Sequence, residues 1–241
     1  MDELRRSAIR RASDSVDSYV DAVFAMVEQV RAEVLDLIAV APPQGQAPLR
    51  SDLDPLEPSL RAALEDSTRP RLAGLGYIAA VDVLRDRPRW LEWVRRAEDG
   101  SLSRLEPDLD PESFGFYDFT AADWFRQPLA RQERSVVGPY VDFAGTDEYV
   151  VTFTVPIVSH GVVLGVAGAD LRPGELADAM MSPLCAIGAD AVLVNADGRI
   201  VVSNTSRWQV GSLLREPLVA AREDCQEAPW SVLAFEESLL G

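Results

Sequence analysis

The sequence predicts an α+β protein, and three observations predict it. A heptad run of apolar residues near the start predicts one long helix. Two β-branched runs joined by Ser159-His160-Gly161 predict a long central hairpin. A further pair of short runs turning on Asp197-Gly198 predicts a second hairpin near the end.

The long helix spans about Asp14 to Val40. Val16, Val20, Val23, Val27, Val30, Val34 and Leu37 repeat at alternating four- and three-residue steps, which places one stripe on one face. Ser13 or Asp14 is the predicted cap and Ala41-Pro42-Pro43 the stop. Tyr19, Phe24 and Ile38 widen the apolar face, so the stripe is expected to pack partly on the chain's own sheet and partly on a second copy. Residues 41–56 read as a Pro- and Gln-rich loop, and a second helix is expected from Pro58 to Thr68. Leu75–Val81 and Arg89–Val94 read as strands, with Trp90 and Glu92 on one side and Leu91 and Trp93 on the other. An acidic loop follows from Glu98 to Glu112. Asp118 to Arg134 is a short helical linker, capped by Asp118 or Thr120 and interrupted at Pro128. The hairpin of Tyr149–Val158 and Val162–Asp170 comes next, then a helix from Pro173 to about Met181. The second hairpin joins Ala191–Val194 to Arg199–Ser203, and Trp230–Phe235 is a last strand.

Composition narrows the function. Of the residues, 47% are hydrophobic and 26% charged, which fits a globular protein with a sizeable core. All 23 basic residues are arginines, and they leave a net charge of −16. An acidic surface opposes nucleic-acid binding, which needs clustered positive charge. Arg5, Arg6, Arg10 and Arg11 read as a solvated helix start. Cys185 and Cys225 lack metal-ligand spacing and read as two free buried thiols, with a disulfide between them as the alternative. His160, the single histidine, falls in a turn and leaves no Ser/His/Asp triad. Gly165 and Gly168 lie in a hairpin, not before a helix, so they form no nucleotide fingerprint. No apolar run reaches the roughly 18 residues of a membrane helix, and the start lacks a signal-peptide core. The expected location is cytoplasmic for the chain as written, and extracytoplasmic if it is a fragment of a receptor.

From Asp14 to Leu214 the order of elements and motifs resembles the Cache superfamily of bacterial sensor domains. The motifs are Asp123-Trp124-Phe125, Gly138-Pro139-Tyr140-Val141-Asp142, Val155-Pro156 and Gly165-Val166-Ala167-Gly168-Ala169-Asp170-Leu171. The resemblance implies a PAS-like antiparallel sheet with a long N-terminal helix and a ligand pocket between sheet and linker helix. Residues 1–188 would form this sensor domain. Residues 189–241 would form a small or rudimentary second α/β module, or extra strands.

The family's amino-acid binders carry a Tyr, an Arg five residues on, an aromatic pair, a later Tyr and an Asp. Tyr117, Trp124-Phe125, Tyr140 and Asp170 match that pattern, but the Arg position holds Ala122. In the family, Tyr and Asp hold a ligand ammonium and Arg holds a carboxylate. Alanine cannot make the bidentate contact, so the resemblance implies a site that keeps its amine half. Arg126, four residues from Ala122, is the one candidate replacement.

The expected ligand-binding residues are Tyr117, Asp123, Trp124, Phe125, Tyr140, Asp142 and Asp170, with Asp123 and Asp142 as second-rank carboxylates. Each has an ordinary structural role beside it: Asp170 as a helix cap, Tyr140 as a plug under a loop, Trp124 as an anchor of the linker, Trp93 as core. The expected function is a non-catalytic sensor for a small amine or other cationic metabolite, signalling through the N-terminal helix to an unidentified output protein. Amino-acid or carboxylate sensing and a dimeric scaffold are the alternatives. A homodimer through the helix is expected, with no cofactor, no metal and no nucleic acid.

Overall fold

The computed structural model describes residues 3–40, 47–142, 146, 148–215 and 219–235. The long helix, α1, runs Glu3–Val40, and the expected Ala41-Pro42-Pro43 stop lies outside the described residues. The helix starts well before Ser13. Ala8, Ile9 and Ala12 are buried and continue the stripe towards the amino terminus, where alanines propagate a helix without a strong apolar pattern. Ser13 is therefore no cap. It is buried, and its hydroxyl donates to the Asp224 carbonyl at 3.4 Å and to Cys225 Sγ at 3.5 Å. Val16, Val20, Val23, Val27, Val30 and Val34 are all buried within the chain itself.

Contacts divide the chain into two compact units: Val23–Val137 with Val141–Leu171, and the chain up to Ala22 with Gly138–Tyr140 and the chain from Arg172 onward.

The larger unit holds α2 (Leu56–Glu65), β1 (Gly74–Ala79), β2 (Leu91–Arg96), β3 (Leu102–Arg104), α3 (Asp123–Arg131), most of β4 (Ser135–Val141), β5 (Tyr149–Ser159) and β6 (Val162–Leu171). Strands β3-β2-β1-β6-β5-β4 form one antiparallel sheet. β3 falls inside the segment read as an acidic loop; three residues are too few for an alternating pattern to stand out. β4 was not anticipated either, because Gly138 and Pro139 break its β-branched run.

Leu56, Leu60 and Leu64 give α2 its buried stripe. The Arg96 guanidinium donates to the Leu64 carbonyl at its C-terminal end, and also to Leu72 and Gly100. On α1, Phe24 meets Phe153 of β5 edge-on, with ring centroids 5.5 Å apart. At the sheet's β2–β3 edge, the Arg50 and Arg104 guanidiniums both lie over Trp90, 5.1 and 5.0 Å from the ring centre. Glu92 is buried beside it, accepting from Arg104 at 2.7 Å and from Trp90 Nε1 at 3.2 Å, while its Oε1 has no partner. Burial raises its carboxyl pKa, and Arg104 only partly offsets that.

Pro128 sits inside α3 and does not end it. A proline lacks the N–H that would bond the carbonyl four residues back, here Trp124. Thr154 Oγ1 supplies the missing donor at 2.9 Å, so the helix runs on to Arg131.

The smaller unit holds α4 (Pro173–Cys185), β7 (Ala191–Asn195), β8 (Ile200–Ser203), β9 (Val219–Asp224) and β10 (Trp230–Phe235), with sheet order β8-β7-β10-β9. β9 escapes a sequence reading because VAARED has only one strong strand former. Val192, Val194, Ile200, Leu233 and Phe235 pack together, with the Trp208 ring tilted against Phe235, centroids 4.4 Å apart. Asn195 holds the Asp197-Gly198 turn: its side-chain oxygen accepts from Asp197 N and Arg199 N. From α1, Asp17 accepts from the backbone of Gln226 and Glu227. Of the thiols, Cys225 is buried as expected but Cys185 is exposed, because it ends α4 on the outer side of a helix whose inner face is Leu176, Met180 and Leu184. Burial pushes the Cys225 thiol up to about 11.

Three outcomes are expected. Gly165 has φ +137°, and a Cβ there would lie 2.1 Å from the Ile78 carbonyl oxygen; Gly165→Ala is expected to cost about 3 kcal/mol in a urea titration. A thiol reagent near neutral pH is expected to titrate Cys185 in the native protein and Cys225 only after denaturation. Because its carboxyl pKa is raised from 4.5 on folding, Glu92 favours the native state most below that value and loses this advantage as pH rises. The melting temperature of the wild type minus that of Glu92→Gln should therefore fall as pH is raised; a pH-independent difference would contradict this account of Glu92.

Candidate functional site

Register decides which side chains meet. Paired residues of antiparallel strands point to the same face. Gly74 pairs with Asp170 and Arg95, Gly76 with Gly168 and Trp93, and Ile78 with Val166 and Leu91. Across β6, Asp170 pairs with Thr152 and Gly168 with Thr154. These residues share one face of the larger sheet. The Trp124 carbonyl of α3 bonds Thr154 on this same face. Phe153, packed on α1, belongs to the opposite face.

Asp170 is 7% exposed and accepts from Thr152 Oγ1 at 2.7 Å. It is not the N-cap of α4, whose cap residue is Arg172. The neighbouring positions Gly74, Gly76 and Gly168 carry no side chain. The Trp93 indole occupies that strip: Cβ atoms on Gly74 and Gly76 would lie 2.4 and 2.9 Å from its ring, and one on Gly168 at 3.5 Å. The reading from sequence set Trp93 down as core. The signal that could have found it is the Gly-x-Gly spacing of β1, which leaves room for a large neighbour on one face only.

The aromatic residues of the linker cluster. Tyr117, Phe119, Trp124 and Phe125 are all buried. Their ring centroids lie 6.4 Å (Tyr117–Phe119), 5.2 Å (Phe119–Phe125) and 6.1 Å (Trp124–Phe125) apart, in edge-on pairs. Asp118 caps the turn before α3, accepting from Thr120 N. Ala122 is the N-cap residue of α3 and half-buried.

Asp123 and Arg126 are both exposed and pair with each other at 3.3 Å. Asp142 accepts from Thr146 N at 3.0 Å and closes a turn after β4. Tyr140 is half-buried on β4. His160 has φ +51°, as a turn residue between β5 and β6 should.

A separate recess of about 310 Å³ opens at the sheet edge between Arg50, Trp90, Leu91, Arg104, Leu105 and Glu106. Its two guanidiniums are spent on Asp54 at 2.6 Å and Glu92 at 2.7 Å. Among the described residues no group of three or more His, Cys, Asp or Glu side chains is placed to hold a metal, and no helix is long and apolar enough to cross a membrane.

Comparison with known proteins agrees with this architecture. The family model described as methyl-accepting chemotaxis protein-like, first PDC sensor domain, matches residues 98–178. The ligand-binding domain of the Pseudomonas aeruginosa PAO1 amino-acid chemoreceptor PctC, solved with GABA, superposes with a TM-score of 0.58 at 20% identity, over 95% of this chain and 96% of that one. That of the Pseudomonas fluorescens chemoreceptor CtaA, solved with L-valine, gives 0.60 at 16% identity, over 96% and 95%. That of Campylobacter jejuni Tlp3, with 4-methylisoleucine, gives 0.58 at 13%, over 98% and 92%. The long helix, the antiparallel sheets and the smaller α/β module give this chain the fold of Cache-type ligand-binding domains, and residues 98–178 are similar to the first PDC sensor domain of chemotaxis proteins.

Proposed function

We propose that this domain is a non-catalytic sensor of a small amine or other cationic metabolite. The ammonium would dock on Asp170. Tyr117, Trp124, Phe125 and Tyr140 are the aromatic partners that the family pattern supplies, with Asp123 and Asp142 behind them in rank. The observation that supports this reading is an asymmetry of charge. Asp170 keeps a buried carboxylate on the α3 face, while position 122 holds alanine and Arg126 is spent on Asp123 at the surface. A buried carboxylate favours a cationic ligand, and cation–π contact with nearby rings adds to it.

Signalling would run through α1 to an output protein. A ligand biases that output only by binding two arrangements unequally. An amino-acid ligand is the second reading, favoured by PctC with GABA and CtaA with L-valine. It needs a carboxylate partner other than Ala122.

A thermal-shift screen against amines, quaternary ammonium ions, amino acids and carboxylates separates the readings. An amine at a hundred times its Kd is expected to add about 2.7 kcal/mol to the native state, an effect lost in Asp170→Ala. Ala122→Arg is expected to move the preference towards amino acids. Stabilisation by carboxylates alone, or by nothing, would overturn the proposal.

A further inference from the structure

Trp93 carries a polar atom that the fold does not use. The residue is 5% exposed, and its indole Nε1 has no hydrogen-bond partner. A buried donor left unpaired costs on the order of 1–3 kcal/mol, so one held in place calls for a reason. Its position supplies one. Nε1 is the ring atom nearest to where a Gly74 Cβ would be, at 2.4 Å, and Gly74 is the direct cross-strand partner of Asp170. The indole N–H and Asp170 thus lie on the same face of two adjacent strands, whose backbones run roughly 5 Å apart. Gly74 is what permits this, since any side chain there would collide with the indole.

We propose that Trp93 is a specificity-determining residue of the amine site, and that its N–H reads a hydrogen-bond acceptor two or three bonds from the ligand's ammonium. This rests on the amine-sensor reading and narrows it. An indole N–H is a single neutral donor. It suits a neutral oxygen, a hydroxyl or an amide carbonyl, better than a carboxylate, which needs charge and two donors. Arg95 shares the Gly74 row, but its Nε donates to Ser103 at 3.3 Å, on the β3 side away from Asp170. The favoured ligand class is therefore an amino alcohol or amino amide, ahead of a quaternary ammonium ion with no acceptor.

The test compares 2-aminoethanol, ethylamine and tetramethylammonium by calorimetry on the intact chain. A ¹H–¹⁵N spectrum follows the indole signals of the five tryptophans. The expected result is that 2-aminoethanol binds about five- to tenfold more tightly than ethylamine, the worth of one neutral hydrogen bond. The Trp93 indole resonance should move on binding, and Trp93→Phe should erase the preference while ethylamine still binds. Should Trp93→Phe not fold, its resonance is assigned in the wild-type background by replacing the other four tryptophans singly. Amines binding with no acceptor preference and an unmoved Trp93 signal would overturn the role of Trp93 and leave the amine sensor standing. No binding by any of the three would overturn both.

Discussion

The pairing of β1 with β6 is the constraint on which the larger unit depends. Side chains in a strand alternate between faces, so a slip of one residue would exchange every side chain on β6. Asp170 would move to the face where Phe153 packs on α1, and Leu171 would take its place under α3. Two features hold the register. Gly165, with φ +137°, fits directly against the Ile78 carbonyl, and the His160-Gly161 turn fixes where β6 begins. With that register set, Thr152 falls beside Asp170 and Thr154 falls where the Trp124 carbonyl needs a donor. A proline in α3 and a threonine in β5 are thus a matched pair: one leaves a carbonyl unbonded and the other bonds it.

Much of this was legible in the sequence. Strong periodicity gave the long helix and both hairpins, because burial of one face dictates where apolar residues recur. Trp230–Phe235 was read to the residue. Weakly patterned elements were lost: β3 is three residues long, β4 carries Gly138-Pro139, and β9 is largely polar. The early turns of α1 were missed for a related reason, since alanine signals burial poorly. Pro128 misled because the rule that proline ends a helix assumes no outside donor for the freed carbonyl.

The site was legible in a different way. Its candidate aromatic residues and Asp170 were drawn from a family resemblance, and local physics alone would have made Asp170 a helix cap, Tyr140 a plug under a loop and Trp124 an anchor of the linker. What no linear pattern shows is which residues become neighbours across strands. Thr152, Gly74 and Trp93 meet Asp170's face only through the register of four strands. Even the charge argument needed geometry: Arg126 is one turn from Ala122 in sequence, yet it pairs with Asp123 in solvent.

The valine stripe of α1 has a mechanical consequence. Val16, Val20, Val23, Val27, Val30 and Val34 are rungs of one size, so a shift of the helix by one turn, about 5.4 Å, would seat valine where valine had been. Such a ladder has little to tell one axial position from the next. Phe24 breaks the degeneracy: it is wedged against the Phe153 edge, with the Arg134 guanidinium 4.5 Å above its ring. It works as a detent of the rod, a bulky tooth among smooth rungs, and the Asp17 hydrogen bonds to Gln226 and Glu227 resist the same slide.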